Sequence, residues 1–343
     1  TKQDLVSQYA NLLSILVQVY PEFRRERGEL SWNVISGLLT EFPVNEEHIP
    51  ILKTLYTSLS NMADTLRKVE IPAEAIKEHI QNDYLAESVT SLLNNLPIHK
   101  CRELANSLFL KCLLKRAINN NSAMQALMRL AENAAVAKLL VRDPTWLNRE
   151  LPSFEDTLSL LVVVFKHVEI RDKLARTLEF TEVLEKMVQT DEIDLACKLV
   201  RKLDLTEDII RDLLGSSFIT LLLDIYDGDD QINKAILLLI KKLTESCLEE
   251  QAFIEKPPKE LVYACTFVEM ILRNYKFDDP KTADMHYLAA KVATKLGNYT
   301  KCARKFYDDH VISDFQKKLK NPDYAPIAKK FLKSPGVYKF KDH

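Results

Sequence analysis

Apolar residues recur along the chain at steps of three, four and seven, which is the spacing of one face of an α-helix. The first such stripe contains Leu5, Leu12, Ile15, Leu16 and Val19. Prolines separate the successive stripes, as expected of residues that begin or end helices. No alternating run is long enough to indicate a strand, so the pattern predicts an all-α chain.

The second stripe contains Trp32, Ile35, Leu38 and Leu39 and follows directly after Ser31. Serine is a favoured N-cap residue because its side-chain oxygen accepts a hydrogen bond from a free N–H in the first turn. We therefore predict that a helix begins at Ser31.

The stretch from Gly215 to Leu243 places two dense apolar runs on either side of the acidic tetrapeptide at 227–230. An Asp-Gly hairpin, a calcium loop and two linked helices are the three alternatives. An EF-hand needs acidic ligands at alternate positions and a late glutamate, and this order is absent. The run after the tetrapeptide is apolar on nearly every side, which is typical of a buried helix. We predict two helices, with the acids beginning the second near its positive end.

This region repeats itself. The segment Phe180–Leu203 aligns with Phe218–Leu243 at an offset of about 38 residues, and a short helical segment precedes each copy. A period near forty residues, built from one short and two longer helices, indicates an α-helical solenoid.

The arrangement resembles the armadillo repeat and its HEAT-like relatives, over about 165–255 and more loosely over 100–165. The resemblance implies an all-α, right-handed solenoid of about seven or eight helical units. It would comprise N-terminal helical repeats over 1–100, an armadillo-like core over 101–256, and C-terminal repeats with a basic capping tail over 257–343.

Composition narrows the possible functions. The chain has six glycines in 343 residues, and no two lie close enough to form a glycine-rich phosphate-binding loop. The formal net charge of -2 provides no overall field toward nucleic acid. No apolar run reaches the length of a membrane span.

Candidate catalytic and metal-binding residues are few. The acidic triplets that end in histidine, at 46–48 and 308–310, place consecutive side chains about 100° apart on a helix, so surface charge is the favoured interpretation. Cys197 and Cys265 lie in apolar stripes, and none of the six cysteines forms a C-x-x-C pair. We predict reduced core thiols, a cytosolic or nuclear location, no cofactor, no metal and no enzymatic site.

The residues that follow the two tryptophans show whether the chain carries the motif of a nuclear-import receptor. Importin-α-type grooves carry W-x-x-x-N, whereas here Ser36 follows Trp32 and Glu150 follows Trp146. A localisation-signal receptor is therefore disfavoured, and both tryptophans are predicted to pack in the core.

Basic residues recur at corresponding places in the repeats. The third helix of one repeat carries Lys198, Arg201 and Lys202, and the third helix of the next repeat carries Lys241 and Lys242. These side chains form either a solvated face or a ladder along a groove for an acidic peptide or helix.

The tail from Phe315 to His343 contains eight lysines against two aspartates. One interpretation is a cap whose aromatic residues pack on the last repeat while its lysines remain in water. The other is an arm for an acidic partner or nucleic acid, with Lys329, Lys330 and Lys333 as contacts.

For function, the resemblance implies a non-enzymatic scaffold or adaptor that binds an acidic or helical segment of a protein partner, without a small-molecule substrate. The sequence contains no known motif that recognises DNA or RNA bases, so sequence-specific nucleic-acid binding is disfavoured. The alternative is a chaperone cofactor or assembly factor that clamps a folded domain, like the exchange factors of heat-shock chaperones and the myosin chaperones. An enzyme with an unrecognised site is the third hypothesis, and a deep polar pocket would favour it.

Overall fold

A computed structural model of the protein describes residues 2–63, 70–104, 106–148, 151–225, 229–250, 253 and 256–340. Helices dominate these residues, and no strand occurs among them. The chain divides into two compact units, Thr1–Arg171 and Asp172–His343. The predicted all-α fold class is thus confirmed, whereas the three-segment division at 1–100, 101–256 and 257–343 stays a prediction.

Nine helices are described within unit 1: Lys2–Val19 (α1), Pro21–Glu41 (α2), Ile49–Met62 (α3), Ala73–His79 (α4), Ala86–Asn95 (α5), Ser107–Ala117 (α6), Asn121–Ala131 (α7), Ala134–Arg142 (α8) and Phe154–Val164 (α9). Two short 3-10 helices follow α5 and α8, at Lys100–Leu104 and Pro144–Leu147. The boundary between the units falls within α10, Val168–Ala175.

The described helices of unit 2 are Leu178–Gln189 (α11), Ile193–Arg201 (α12), Glu207–Gly215 (α13), Phe218–Asp224 (α14), Asp230–Glu249 (α15), Lys259–Asn274 (α16), Ala283–Leu296 (α17), Thr300–Asp308 (α18), Val311–Lys318 (α19), Ala325–Leu332 (α20) and Pro335–Tyr338 (α21). None of the helices in the described parts of the chain is long and apolar enough to cross a membrane.

The helix at Ser31 begins earlier than predicted. It is continuous from Pro21, and Ser31 lies buried within it. Proline suits a first turn because its fixed φ is helical and the N–H it lacks would have no partner there. The N-cap interpretation of Ser31 was therefore wrong, although Trp32, Ile35 and Leu39 do line the buried face of α2.

The first helix buries a different side from the one that its apolar stripe indicates. Leu13 and Val17 are buried, at 5% and 0% exposure, and α1 packs against α2 and α3. Leu5 and Leu12 of the stripe are 69% and 53% exposed. Apolar residues occur on both sides of α1, so periodicity located the helix without deciding which side faces the core.

The stretch around the acidic tetrapeptide forms two helices, as predicted. Asp229 is the N-cap of α15, where its Oδ1 accepts a hydrogen bond of 2.7 Å from the Gln231 N–H. The next residue, Asp230, adds a second acid in the first turn, at the positive end of the helix dipole. Asp227 and Gly228 lie outside the described residues. The buried side chains of α15 include Ile236, Leu237, Leu239, Ile240 and Leu243, so this helix is enclosed on most sides.

The predicted repeat appears as matching helices in unit 2, because α11 and α12 correspond to α14 and α15. The second helices stack in the order α11, α14, α16, α18 and α21, and the third helices in the order α12, α15, α17 and α20. Each stack buries the apolar face of one helix against the next. The right-handed sense and the number of repeats stay predictions.

Three aromatic residues of the basic tail are packed, whereas Tyr338 is 63% exposed. Phe315, Tyr324 and Phe331 are at most 1% exposed, and the Phe315 and Phe331 rings lie 4.2 Å apart between centroids. The lysines at 329, 330 and 333 are exposed. This combination agrees with the cap interpretation, since the apolar groups are in the core and the charges are in water.

Candidate functional site

The third-helix stack of unit 2 forms a cavity of about 460 Å³ between α15, α17 and α20. We refer to it as the lysine cavity. Its lining consists of Lys241, Glu245, Lys291, Thr294, Lys295, Pro326, Ile327 and Lys330. Basic side chains thus surround a small apolar surface formed by the residues of α20.

The charge of the lysine cavity is strongly positive. Lys295 Nζ lies 3.1 Å from Glu245 Oε1, and Glu245 is the sole acid among the described lining residues. Lys241, Lys291 and Lys330 therefore add positive charge that no lining side chain neutralises. Cations grouped around one opening raise the local concentration of anionic ligands, an effect that salt screens.

Helical spacing places these side chains on one side of their helices. Lys291 and Lys295 are one turn apart on α17, and Lys241 stands one turn before Glu245 on α15. Their neighbours Ile240 and Leu243 are buried. The long lysine side chains extend from an apolar base into solvent, so they can reach a ligand without losing burial of the core.

A buried histidine positions α20 against α17. His286 contacts the Tyr275 carbonyl oxygen through Nδ1, and its Nε2 lies 2.9 Å from the Tyr324 hydroxyl. Since a carbonyl can only accept, Nδ1 carries the proton and Nε2 accepts from Tyr324. Burial and the neighbouring Lys318 ammonium lower the pKa of His286 to about 4. The neutral ring therefore fixes Tyr324, the residue directly before α20.

The end of the tail attaches to the same helix. Ser334 Oγ donates a hydrogen bond of 3.0 Å to the Thr294 carbonyl, and the Val337 N–H donates one of 3.2 Å to the Gly297 carbonyl. Thr294 lines the lysine cavity and Gly297 directly follows α17. The tail thus helps to set the wall of the cavity.

Two of the predicted partner-binding residues, Lys241 and Lys330, meet in this cavity although they come from the ladder and the tail. Lys242, Lys329 and Lys333 do not line it.

The predicted contacts on α12 lie farther along the third-helix stack. Lys198 forms an ion pair with Asp194 of its own helix. Arg201 and Lys202 are exposed at the end of α12, which packs against α15.

Sequence reasoning missed Lys291 and Lys295. The spacing K-x-x-x-K on a helix was the available signal, but the repeat is recognisable in the sequence only to about residue 255. Residues 275–282 lengthen the connection between α16 and α17, so the alignment of repeats loses its register there.

The other candidate groups have structural roles. Trp32 and Trp146 are buried as predicted, and the Trp32 indole N–H donates to the Glu70 carbonyl at 2.7 Å. Burial raises the pKa of the Cys197 thiol to about 12, and Cys265 is likewise a buried free thiol. The side chain of Cys101 lies outside the described residues.

A metal centre finds no support among the residues that the structure describes. They contain no group of three or more histidine, cysteine or acidic side chains placed to bind a metal ion. The histidine-ending triplets at 46–48 and 308–310 therefore form no such group within the described part of the chain.

Among the comparisons with known proteins, only the comparison with solved structures gives matches. No protein-family model and no curated protein matches the sequence. A solved armadillo-repeat structure, from work on a phosphorylation switch that controls the interaction between cadherin and beta-catenin, matches with a TM-score of 0.51 and 13% identity. That match covers 100% of this chain and 74% of the other.

A crystal structure of an engineered protein also matches, with 11% identity, 97% coverage of each chain and a TM-score of 0.20, which is too low to carry an argument. The described helices and the armadillo-repeat neighbour together show that the protein is an all-α, armadillo-like helical-repeat solenoid.

Proposed function

We propose that the protein is a non-enzymatic scaffold or adaptor that binds an acidic segment of a protein partner on its third-helix stack. The observation that carries the proposal is the lysine cavity, where four lysines face one another around an apolar surface and only one of them has an acidic partner in the lining. The lysine cavity combines basic side chains with a small apolar surface, which suits recognition of a peptide carboxylate beside an apolar side chain.

The ligand is an acidic segment with at least one apolar side chain. Its carboxylates contact Lys241, Lys291 and Lys330, and the apolar side chain packs on Pro326 and Ile327. A helical-repeat protein offers long surfaces for such a segment. The armadillo-repeat neighbour was solved in work on an interaction between two proteins, cadherin and beta-catenin, which supports a protein-binding role here by analogy of fold.

The binding surface extends from the lysine cavity onto α12. Arg201 and Lys202 are exposed at the end of α12, and α12 packs on α15, which carries Lys241. A partner segment longer than the cavity would pass over these residues. Charge reversal of Arg201 and Lys202 should then weaken binding less than charge reversal in the cavity, because the cavity also buries the apolar side chain.

Affinity purification followed by mass spectrometry tests the proposal. The variant combines Lys241→Glu, Lys291→Glu and Lys330→Glu, and leaves the Lys295–Glu245 pair intact. We expect proteins that copurify with the wild type to be lost from this variant, and a synthetic acidic peptide from one of them to bind the wild type alone.

The matched control reverses three exposed lysines away from the cavity, with Lys53→Glu, Lys173→Glu and Lys281→Glu. It makes the same change in net charge and should keep the copurified proteins. Equal loss in both variants would show that overall charge, and not the lysine cavity, determines binding. Equal retention in both would refute the proposed site.

One observation favours the alternative function, an assembly factor that clamps a folded domain. Helix α1 exposes a stripe of large apolar side chains: Leu5, Tyr9, Leu12, Ile15 and Val19. Such a patch suits contact with a folded surface. In the same purification, the variant Leu5→Gln/Leu12→Gln/Val19→Gln should lose the partners if the clamp hypothesis is right, and should keep them if the lysine cavity is the site.

A further inference from the structure

A second pocket in unit 2 lies on a different set of helices from the lysine cavity. It measures about 780 Å³ and is formed by the end of α13, the segment before α16, the first turns of α16 and the start of α18. We call it the α13–α16 pocket. Its lining consists of Arg211, Leu214, Gly215, Phe253, Lys256, Pro257, Pro258, Lys259, Val262, Tyr263 and Lys301.

The pocket has an apolar wall with an exposed aromatic ring. Tyr263 is 62% exposed, although its neighbours on α16 are largely buried. Leu214 and Val262 add aliphatic surface, and a Cβ added to Gly215 would meet no atom within 4 Å, so there is open space beside α13. The prolines at 257 and 258 restrict the backbone of the remaining wall. A bulky apolar side chain can be accommodated here.

The rim of the pocket is basic. Arg211, Lys256, Lys259 and Lys301 all line it, and none of its described lining residues is acidic. Arg211 pairs with Glu207 on its own helix, and its guanidinium carbon lies 5.4 Å from the centroid of the Phe253 ring. The rim thus combines three lysines with one arginine that already has an acidic partner.

The positions of two of these lysines also indicate an anionic ligand. Lys259 is the first residue of α16 and Lys301 the second of α18, so both lie at the positive end of a helix. Cations are unfavourable there. In α16, Glu260 Oε1 lies 3.8 Å from Lys259 Nζ and offsets its charge, whereas the first turn of α18 has no acid to compensate Lys301. A bound anion removes this repulsion while it also contacts the free N–H groups of the first turns.

We propose that the α13–α16 pocket binds a short linear segment of a protein partner in which a bulky apolar residue is flanked by acidic residues. The apolar side chain packs on Tyr263, Leu214 and Val262. The flanking carboxylates contact the basic rim. An apolar wall beside a cationic rim favours this occupant over a nucleic acid, which would need stacking platforms along a groove.

This site is independent of the lysine cavity. The cavity uses α15, α17 and α20, whereas this pocket uses α13, α16 and α18. A partner that occupies one site leaves the side chains of the other free. The protein can therefore join two acidic segments, or engage two points of one partner with increased avidity.

Fluorescence anisotropy tests the proposal with a labelled peptide that has a Leu-Phe pair between three acidic residues on each side. The variant Lys256→Glu/Lys301→Glu should weaken binding by about tenfold, because it replaces two attractive charges by two repulsive ones. Tyr263→Ala should weaken it by roughly fivefold through loss of apolar contact, and the exposed ring can be removed without loss of core packing.

The control variant Lys53→Glu/Lys173→Glu should leave peptide affinity within about twofold, since it makes the same change in net charge at exposed lysines that line neither site. All affinities are also measured in the Lys241→Glu/Lys330→Glu background, which removes the lysine cavity as a second site for the peptide, so this proposal and the proposed function can fail separately. The Leu-Phe pair is tested with a second peptide that carries Ser-Ser in its place and should bind more weakly.

Three results would overturn the proposal: no peptide binding by the wild type, equal binding of both peptides, or equal affinity of the wild type and the Lys256→Glu/Lys301→Glu variant. A uridine oligonucleotide and phosphatidylserine vesicles serve as competing probes. Tighter binding of either to the wild type, with the same sensitivity to the variant, would assign the pocket to that class of ligand instead.

Discussion

The contact between the tail and α17 offers a sharp test of the fold, through the substitution Gly336→Ala. Gly336 lies in α21, and a Cβ at this position would stand 2.6 Å from the Gly297 carbonyl oxygen and 2.9 Å from the carbonyl carbon and oxygen of Tyr299. Ordinary carbon contacts begin near 3.4 Å, and all three obstructing atoms belong to the backbone. A side-chain rotation therefore cannot relieve the overlap, and α21 must move.

The expected cost follows from what that movement disrupts. The Val337 N–H donates a hydrogen bond of 3.2 Å to the Gly297 carbonyl, and the Val337 side chain is fully buried. Overpacking typically costs 1–3 kcal/mol, and a weakened hydrogen bond about 1 kcal/mol. We expect the free energy of unfolding to fall by about 2–4 kcal/mol.

Urea denaturation followed by far-ultraviolet circular dichroism measures this loss, and the result should be a lower midpoint for the variant. Both tryptophans, Trp32 and Trp146, belong to unit 1, so tryptophan fluorescence provides a separate signal for that unit. Hydrogen exchange at the Val337 amide, which should accelerate, places the effect at the contact itself.

Gly215→Ala is the matched control, because its added Cβ would meet no heavy atom within 4 Å at the end of α13. Its free energy of unfolding should change by less than about 0.5 kcal/mol or rise slightly. An unchanged midpoint for Gly336→Ala, or equal losses for both glycines, would refute the close contact between α21 and the connection from α17 to α18.

Three further predictions concern other parts of the fold. The pKa of His286 is lowered to about 4, so the unfolded state takes up a proton at higher pH, and stability should fall by about 1–2 kcal/mol as pH decreases from about 6.5 to 4. His286→Gln should reduce this slope in urea titrations at several pH values. Asp229→Ala removes the N-cap of α15 and should cost about 1 kcal/mol in thermal or urea unfolding, an effect that Asp229→Ser would largely restore. In α1, Leu13→Ala should cost about 2–5 kcal/mol and Leu12→Ala less than about 1 kcal/mol, and the reverse order would show that the helix buries its other side.

Much of the fold could be predicted because helical periodicity and proline positions are local properties. The acidic link before α15 was predicted from neighbouring residues. The burial of α15 on most sides was likewise predicted from apolar residues that lie close together along the helix. The start of α2 was missed because Ser31 is a good N-cap residue. The helix in fact begins at Pro21, before the apolar stripe that contains Trp32. Local capping preference cannot tell an interior serine from a terminal one when both neighbouring segments are helical.

The candidate site was predicted only in part. Lys241 and Lys330 stand out in the sequence for their places in the ladder and the tail, but nothing in the sequence joins the two. Lys291 and Lys295 were overlooked because the segment between α16 and α17 changes the repeat length. The basic rim of the α13–α16 pocket was not anticipated, since its cations come from three helices and a connecting segment.

The sequence by itself determined the helical class of this protein, its armadillo-like repeat and the enclosed character of α15, because these depend on the spacing of apolar residues along one helix. The tertiary structure decided which side of α1 is buried and which lysines converge. Those outcomes depend on how helices distant in sequence stack, and the side that faces a neighbour is set by the summed contacts of both helices. A charge pattern that is regular along the chain therefore becomes a binding surface only where the stack brings its members together.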